Sequence, residues 1–524
     1  MQAVEIFVLL LALTAGLAPL ANRVRIPYPA LLVLAGLALS VMPRLPAVQL
    51  NPSLVLIFFL PPIVYQAAIV TSWRDFQQNL RPILLLGVAL VIFTTLLVGW
   101  VAHALVPGLP WAAAFALGAI VSPSDTAGAI AVLQELPIPR RVVTVLEDES
   151  LINDATGLVA YKFAVVAVST GVFSFWEATA GFVWTAAGGV IIGVLIGRGV
   201  LAIHRRLDNP SVQATLSLLT PFTAFALADA AAASGVIAVA AAGLTIGWNS
   251  AEIINARARM TALTMWEMIV FVLNGCAFIL IGLQLPEVMH GLGGLPRAVI
   301  WQTAAAVCTA VIFGRVGWVF AATYLPRWLS AALRRRDPLP PWNHIALVAW
   351  TGMRGIVSLA AAFALPLAMP DGSPFPDRAL ILFLTFAVIL ATLVLQGFTL
   401  PLVVRALRIQ ASGHSTEEEE RGWRRAAEAA LARLAEIEKE GRASPAAVAR
   451  LRGVLHEEIV LCEEHRITSS QRRKSFLTEL SHLERQLLHT QRQAIVHLRN
   501  AGSLNHETAR KILRELDLHE ITLH

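Results

Sequence analysis

The stretch LEDESLINDATGLVAYK, residues 146–162, places Glu147, Asp148 and Glu149 in succession and, four residues after the last of them, Asn153 and Asp154 at the head of an apolar run. On a helix, Glu149 and Asn153 are i,i+4 neighbours, and so are Ser150 and Asp154, so two polar pairs occupy adjoining stripes. Carboxylate, hydroxyl and carbonyl oxygens are what a dehydrated, hard monovalent cation needs, and Asp154 with Ser150 is the expected cation pair. The same carboxylate can hold a proton instead. Cation and proton then compete for one group, and that competition suffices for coupled exchange. A charged side chain at mid-bilayer costs about 3 kcal/mol or more, so an acid there faces a cavity or carries function. The alternative is that Asp154 caps a helix at the membrane surface and the span begins later. Glu147 and Asp148 read as a solvated helix start.

A second acid lies in GAIVSPSDTAGAI, where Asp125 stands between Pro123 and Gly128. Proline removes a backbone donor, and an interrupted helix survives in a membrane only where the released polar groups meet a cavity, water or an ion. Asp125 and Thr126 therefore read as part of a cation site. A kinked helix whose second half is capped by Asp125, aided by Ser122, Ser124 and Thr126, fits the same residues, and the two readings are compatible. Two arginines interrupt apolar runs further on, Arg315 in VIFGRVGWVF and Arg354 in VAWTGMRGIVSLAAAF. A guanidinium does not deprotonate, so each needs a carboxylate or carbonyl partner and can balance the buried acids. TGMRG repeats the glycine-flanked, broken character of SPSDTAG. Lys162 is expected to snorkel or pair locally. Gln66, Asp229 and Asn274 read as inter-helix contacts, with Gln66 able to approach the centre.

These residues need a scaffold, and the composition says which kind. The chain of 524 residues is 56% hydrophobic and 15% charged, which places it among polytopic membrane proteins. Apolar runs long enough for a bilayer core fall near 5–20, 28–42, 53–70, 82–105, 111–132, 149–170, 178–200, 212–230, 233–250, 264–284, 298–325, 343–367 and 379–404. The expected fold is all-α, with about thirteen transmembrane helices, interrupted helices, and inverted repeats relating spans one to six to spans eight to thirteen. Seventeen arginines, from Arg23 to Arg408, fall in alternate turns and before the tail, against only Arg44, Arg297 and Arg378 in the others. That asymmetry puts the N-terminus outside and the C-terminus in the cytoplasm. The first span lacks a basic leader segment and reads as a helix rather than a removable signal. Cys276, Cys308 and Cys462 offer no disulfide framework and no metal-ligand spacing.

Residues 1–410 form the expected transmembrane domain and 411–524 a cytoplasmic helical tail. The tail holds 18 Lys plus Arg against 18 Asp plus Glu, so the formal charge of +6 belongs to the membrane portion and gives no reason to expect a nucleic-acid partner. Tail helices are expected near 416–440, 446–468, 473–500 and 503–516. HEEIVLCEEH lacks the H-E-x-x-H zinc spacing and reads as a solvated helix surface.

RIPYPALLVLAGL, FLPPIVYQAAI, SPSDTAGAI, EDESLINDATG, ASGVIAVAAAGLTIG, FVLNGCAFILIGLQL and WTGMRGIVSLA occur in the order found in the monovalent cation:proton antiporter-1 family, and the chain resembles that family over about residues 1–410. The resemblance implies a six-helix core domain moving against a dimerisation domain, hence a homodimer in the cell inner membrane, and secondary transport rather than enzymatic turnover. It implies Asp154 as the ion-binding acid preceded by Asn153, with Glu149 and Ser150 as site neighbours, Asp125 on an unwound helix, and Arg315 and Arg354 as the buried cations. Members with Asn-Asp here exchange one cation for one proton, so the resemblance also implies electroneutral sodium/proton antiport with no cofactor, lithium or potassium being alternative cargo. Two residues depart from the family pattern: Gln66 stands where many members carry an acid, and Asp148 where EGES has glycine. The potassium/proton exchanger of the same architecture therefore stays open. A cation channel needs a continuous polar path that these apolar spans do not offer, and a membrane scaffold has no use for Asp125 and Asp154.

Overall fold

The structure is a computed structural model that describes residues 3–24, 28–40, 52–126, 129–130, 133, 138–171, 175–292, 296–337, 339–369, 372–409, 414–441, 443–467, 487–498 and four single positions beyond. The chain forms two compact units, Met1–Ala411 and Ser412–His524.

The first unit is helical over most of its described length, interrupted by turns, two non-helical breaks at 122–126 and 351–355, and one isolated bridge. Besides two six-residue helices, Trp73–Gln78 and Ala331–Arg336, its helices are α1 (Ala3–Val24), α2 (Tyr28–Ser40), α3 (Pro52–Val70), α4 (Leu80–Leu105), α5 (Trp111–Val121), α6 (Arg140–Thr170), α7 (Phe175–His204), α8 (Pro210–Ala230), α9 (Gly235–Ile253), α10 (Ala256–His290), α11 (Arg297–Leu329), α12 (Trp342–Trp350), α13 (Ile356–Phe363) and α14 (Arg378–Ala406). Eight of them are long and apolar enough to cross a membrane, and four shorter apolar helices lie at 7–21, 28–40, 57–70 and 111–121. The unit's surface carries large apolar side chains such as Trp184, Phe313 and Trp328. Such a surface suits lipid rather than water.

Two packing groups share this unit. α2, α3, α7, α8, α9 and α10 pack mainly on one another, with α1 against α2 and α10; α4, α5, α6, α11 and α14 form the other group, together with α12 and α13. α3 and α10 meet α13 along the seam. In the second group α4 carries a π-helical turn at Leu85–Ala89. The Leu90 N–H closes this turn on Leu85 O, and the Trp318 indole N–H donates to the same carbonyl at 3.0 Å.

Two expectations are corrected here. α6 begins at Arg140, nine residues before the expected start at 149, so Asp154 lies about four turns inside a continuous helix rather than capping one at a surface. Asp148 is 2% exposed and belongs to no solvated helix start; Glu147 beside it is exposed. Lys162 pairs with Asp229 of α8 at 3.6 Å, the local partner and the inter-helix contact expected of the two.

In the second unit, α15 (His414–Lys439) and α16 (Pro445–Ile467) form a helical hairpin with Arg452 bonded to Glu438 at 2.5 Å. Most of the expected helices at 473–500 and 503–516, residues 127–128 and 131–132 of the span at 111–132, and the side chain of Cys462 lie outside the described residues.

Candidate functional site

Two backbone breaks meet in the second packing group. α5 stops at Val121 and residues 122–126 are not helical; α12 stops at Trp350 and residues 351–355 are not helical before α13 resumes. Pro123 supplies the local cause in the first break, and the glycines at 352 and 355 weaken helix in the second. The breaks are stitched together by the Asp125 N–H, which donates to Met353 O at 2.8 Å. A Cβ built on Gly355 would fall on the Asp125 carboxylate, so the absence of a side chain is what lets the two segments cross. Gly355→Ala is accordingly expected to lower transport at least tenfold and to lower the melting temperature, both read on purified protein, because the clash falls on a carboxyl group held by its own backbone.

Arg354 sits in the second break and is 1% exposed. It donates through Nε to Val121 O at 2.9 Å, through Nη1 to Gly352 O and through Nη2 to Ser122 O at 3.5 Å, while its backbone N–H donates to Thr392 Oγ1 at 3.0 Å. A guanidinium thus covers the orphaned carbonyls at the end of α5, where the helix dipole also favours positive charge. Among the described residues Arg354 has no carboxylate ion-pair partner.

Arg315 does. Its Nη1 and Nη2 reach both carboxylate oxygens of Glu149, at 2.5 and 2.9 Å, and Nη2 also donates to Val348 O at 3.1 Å. The side chains are 1% and 0% exposed. This is a bidentate, dry ion pair of the kind that planar guanidinium geometry favours. Ser124, from the first break, ties it to α6. Its Oγ donates to Glu149 Oε1 at 2.8 Å and accepts from Asn153 Nδ2 at 2.8 Å and Arg315 Nη1 at 3.2 Å. Its carbonyl accepts from Asn153 Nδ2 and Ser150 Oγ, both at 3.2 Å. Gly157, one turn beyond Asp154, lets α6 approach this close, since a Cβ there would meet the Pro123 ring.

Asp154 points elsewhere. It is 7% exposed, and Oδ1 is buried with no hydrogen-bond partner. It lines a cavity of about 310 Å³ at the seam between the two packing groups. Polar lining comes from Asp125 and Thr126 of the first break, Ser150 and Asp154 of α6, Gln66 of α3, Thr71 just after it and Asn274 of α10, with exposed Glu147 also on the wall. The i,i+4 pair Ser150 and Asp154 faces this space; the other pair, Glu149 and Asn153, faces Ser124 and Arg315 and does not line the cavity. Asp125, Thr126, Ser150 and Asp154 are thus gathered at the cavity, while Glu149 and Asn153 stand behind it as the braces of the first break.

Sequence reasoning did not anticipate three features. Ser124 appeared only as a capping helper. Asn274 was assigned to inter-helix contact, yet its Oδ1 is buried without a partner on the cavity wall. Thr392 carried no signal at all. No group of three or more His, Cys, Asp or Glu able to hold a metal ion occurs among the described residues, so the oxygens a cation would meet here come from one or two carboxylates, hydroxyls and amide carbonyls.

Comparison with known proteins gives concordant matches. The family model described as "Sodium/hydrogen exchanger, transmembrane" matches residues 9–406. An uncharacterized Na(+)/H(+) exchanger of Mycobacterium bovis is 37% identical over 514 residues, covering 96% of this chain and 93% of that one. A sodium, potassium, lithium and rubidium/H(+) antiporter of Bacillus pumilus is 35% identical over 423 residues, 76% of this chain and 61% of that one. Among solved structures, a sodium proton antiporter of Methanocaldococcus jannaschii superposes with a TM-score of 0.62 at 18% identity, covering 77% of this chain and 98% of that chain.

Proposed function

The chain belongs to the sodium/hydrogen exchanger family, and from that premise we propose that it is an electroneutral secondary antiporter that exchanges one monovalent cation, sodium first, for one proton at Asp154. The observation that carries the reading is the unpartnered Asp154 oxygen facing a cavity built half from each packing group. Buried charge is costly, and here it is held beside backbone breaks whose polar groups can replace water around an ion. Cation and proton compete for the same carboxylate, so neither crosses without the other's exchange.

Alternating access follows from the seam. The break after α5, together with α6 and α13, supplies one wall and α3 and α10 the other, so sliding one group against the other exposes Asp154 to the opposite side. Glu147 lies on the Arg140 end of α6, which the arginine count assigns to the cytoplasm, and this orientation makes the cavity inward-open. We read the eight long helices, the four shorter ones and the broken pair at 342–363 as thirteen crossings, with the N-terminus outside. Residues 411–524 then form a cytoplasmic helical domain of a protein of the inner membrane, a homodimer like the family arrangement expected from its sequence.

Gln66 and Asn274 supply neutral amides where a carboxylate would favour the more strongly hydrated ion. They favour a second reading, in which potassium also serves as cargo, and the broad cation range in the name of the Bacillus pumilus relative agrees with it. The test is proton flux in proteoliposomes with sodium, lithium, potassium and rubidium supplied separately; no cation-dependent flux with any of the four defeats the assignment.

Stoichiometry is tested independently. With Glu149 locked in an ion pair, one carboxylate does the exchanging and no net charge moves, so an imposed membrane potential is expected to leave sodium/proton exchange unchanged. A potential that accelerates leak-corrected flux would show a second titrating group on the path, with Asp125 the first suspect.

A further inference from the structure

A second cavity, of about 280 Å³, lies among α3, α7, α8, α9 and α10. It shares Val70 with the cation cavity, so the last turn of α3 is the partition between them. Nothing in the exchange reaction uses it, yet its lining is polar in an organised way.

His204, the last residue of α7, is 3% exposed, and neither ring nitrogen has a hydrogen-bond partner. Gln213 is 2% exposed. Its Nε2 donates to His204 O at 3.2 Å and Leu207 O at 2.5 Å, which fixes the amide and leaves Oε1 buried and unpartnered. Arg259 brings a guanidinium, with Nη1 holding Ser250 O at 3.3 Å and Ile254 O at 3.1 Å. No carboxylate is among the lining residues. Trp266, its indole N–H satisfied by Ser217 Oγ at 3.0 Å, and Ile69 supply apolar wall.

The donor and acceptor inventory selects the ligand. A cation is opposed by the guanidinium. An apolar ligand would leave three buried polar atoms unsatisfied, at a cost of about 1–3 kcal/mol each. A bare halide accepts from Arg259 and the imidazole N–H but offers nothing to Gln213 Oε1 or to the other ring nitrogen. An oxyanion that also carries hydroxyls meets every one of them. We propose that this cavity binds a hydroxyl-bearing phosphate ester, the glycerol-phosphate headgroup of an anionic lipid or its soluble counterpart. The proposal does not depend on the exchange chemistry at Asp154.

The test is the melting temperature of the full chain in two arms: with soluble glycerol phosphate in detergent, and in nanodiscs of phosphatidylglycerol against phosphatidylcholine, whose headgroup has the phosphate but no hydroxyl. A saturable rise of a few degrees is expected in at least one arm, and which arm identifies the source. His204→Phe, which breaks no hydrogen bond, and Gln213→Met are each expected to reduce that rise by half or more, and Arg259→Gln to remove it. Asp154→Asn is expected to keep the full rise, separating this site from the exchange site. No rise in either arm, or a rise of equal size in His204→Phe and Arg259→Gln, overturns the assignment.

Discussion

Asp154→Asn is expected to abolish cation-dependent proton flux while leaving the protein folded and inserted. Asparagine keeps the shape of the side chain and removes both the charge proposed to bind the cation and the group proposed to carry the proton, so the expected loss is of chemistry rather than of rate alone: about a hundredfold or more, down to the leak. The structure gives the reason why stability should not follow activity. Asp154 Oδ1 has no hydrogen-bond partner, and a neutral amide in that position relieves a buried charge instead of stranding one. Reconstituted protein with wild-type melting behaviour and no flux above empty liposomes is the expected pair of readings. Flux that persists in the mutant moves the exchange site off this residue, and Asp125, on the same cavity wall, becomes the group to replace next.

The second large effect falls on stability. Arg315→Met leaves the Glu149 carboxylate in a dry site without its counter-charge, and breaking a buried pair from one side costs about 3–5 kcal/mol. The expected result is a sharp fall in yield and melting temperature. Arg315 answers a full buried charge through two bonds, whereas Arg354 answers carbonyl dipoles, so the larger loss is expected at Arg315. The double substitution Glu149→Leu with Arg315→Met removes both charges together and is expected to recover half or more of the lost stability, since replacing a buried pair by apolar groups is often neutral. Because Glu149 does not line the cavity that Asp154 faces, the recovered protein is also expected to exchange. A double mutant as unstable as Arg315→Met would show that Arg315 acts through Ser124 and Val348 rather than through the acid. A stable double mutant that has lost exchange would instead place Glu149 in the transport reaction.

The Lys162–Asp229 pair shows why ion pairs in one chain are not equal. Its side chains are 55% and 62% exposed, and exposed pairs contribute about 0–1 kcal/mol. Arg315 and Glu149 are buried and bidentate, so the penalty for separating them is of a different order.

The residues themselves determined a good deal. Apolar runs located every described membrane helix, because a bilayer demands about twenty apolar residues per crossing whatever the tertiary arrangement. Proline and glycine around Asp125 and Arg354 marked both backbone breaks, since the loss of a donor and of helix propensity is a property of the residue. The i,i+4 spacing placed Ser150 on the stripe of Asp154 for the same local reason. What the local pattern could not decide is which break meets which, and which cation answers which acid. Asp125 N–H to Met353 O joins positions more than two hundred residues apart, and Arg315 chooses Glu149 at a separation of 166. Helical periodicity fixes the angle at which a side chain leaves its own helix but carries no information about the helix opposite. The early start of α6, the burial of Asp148, Ser124 as the common partner of Glu149, Asn153 and Arg315, and the turning of Asn274 toward the cation cavity all depend on packing between segments, and only the tertiary structure could decide them.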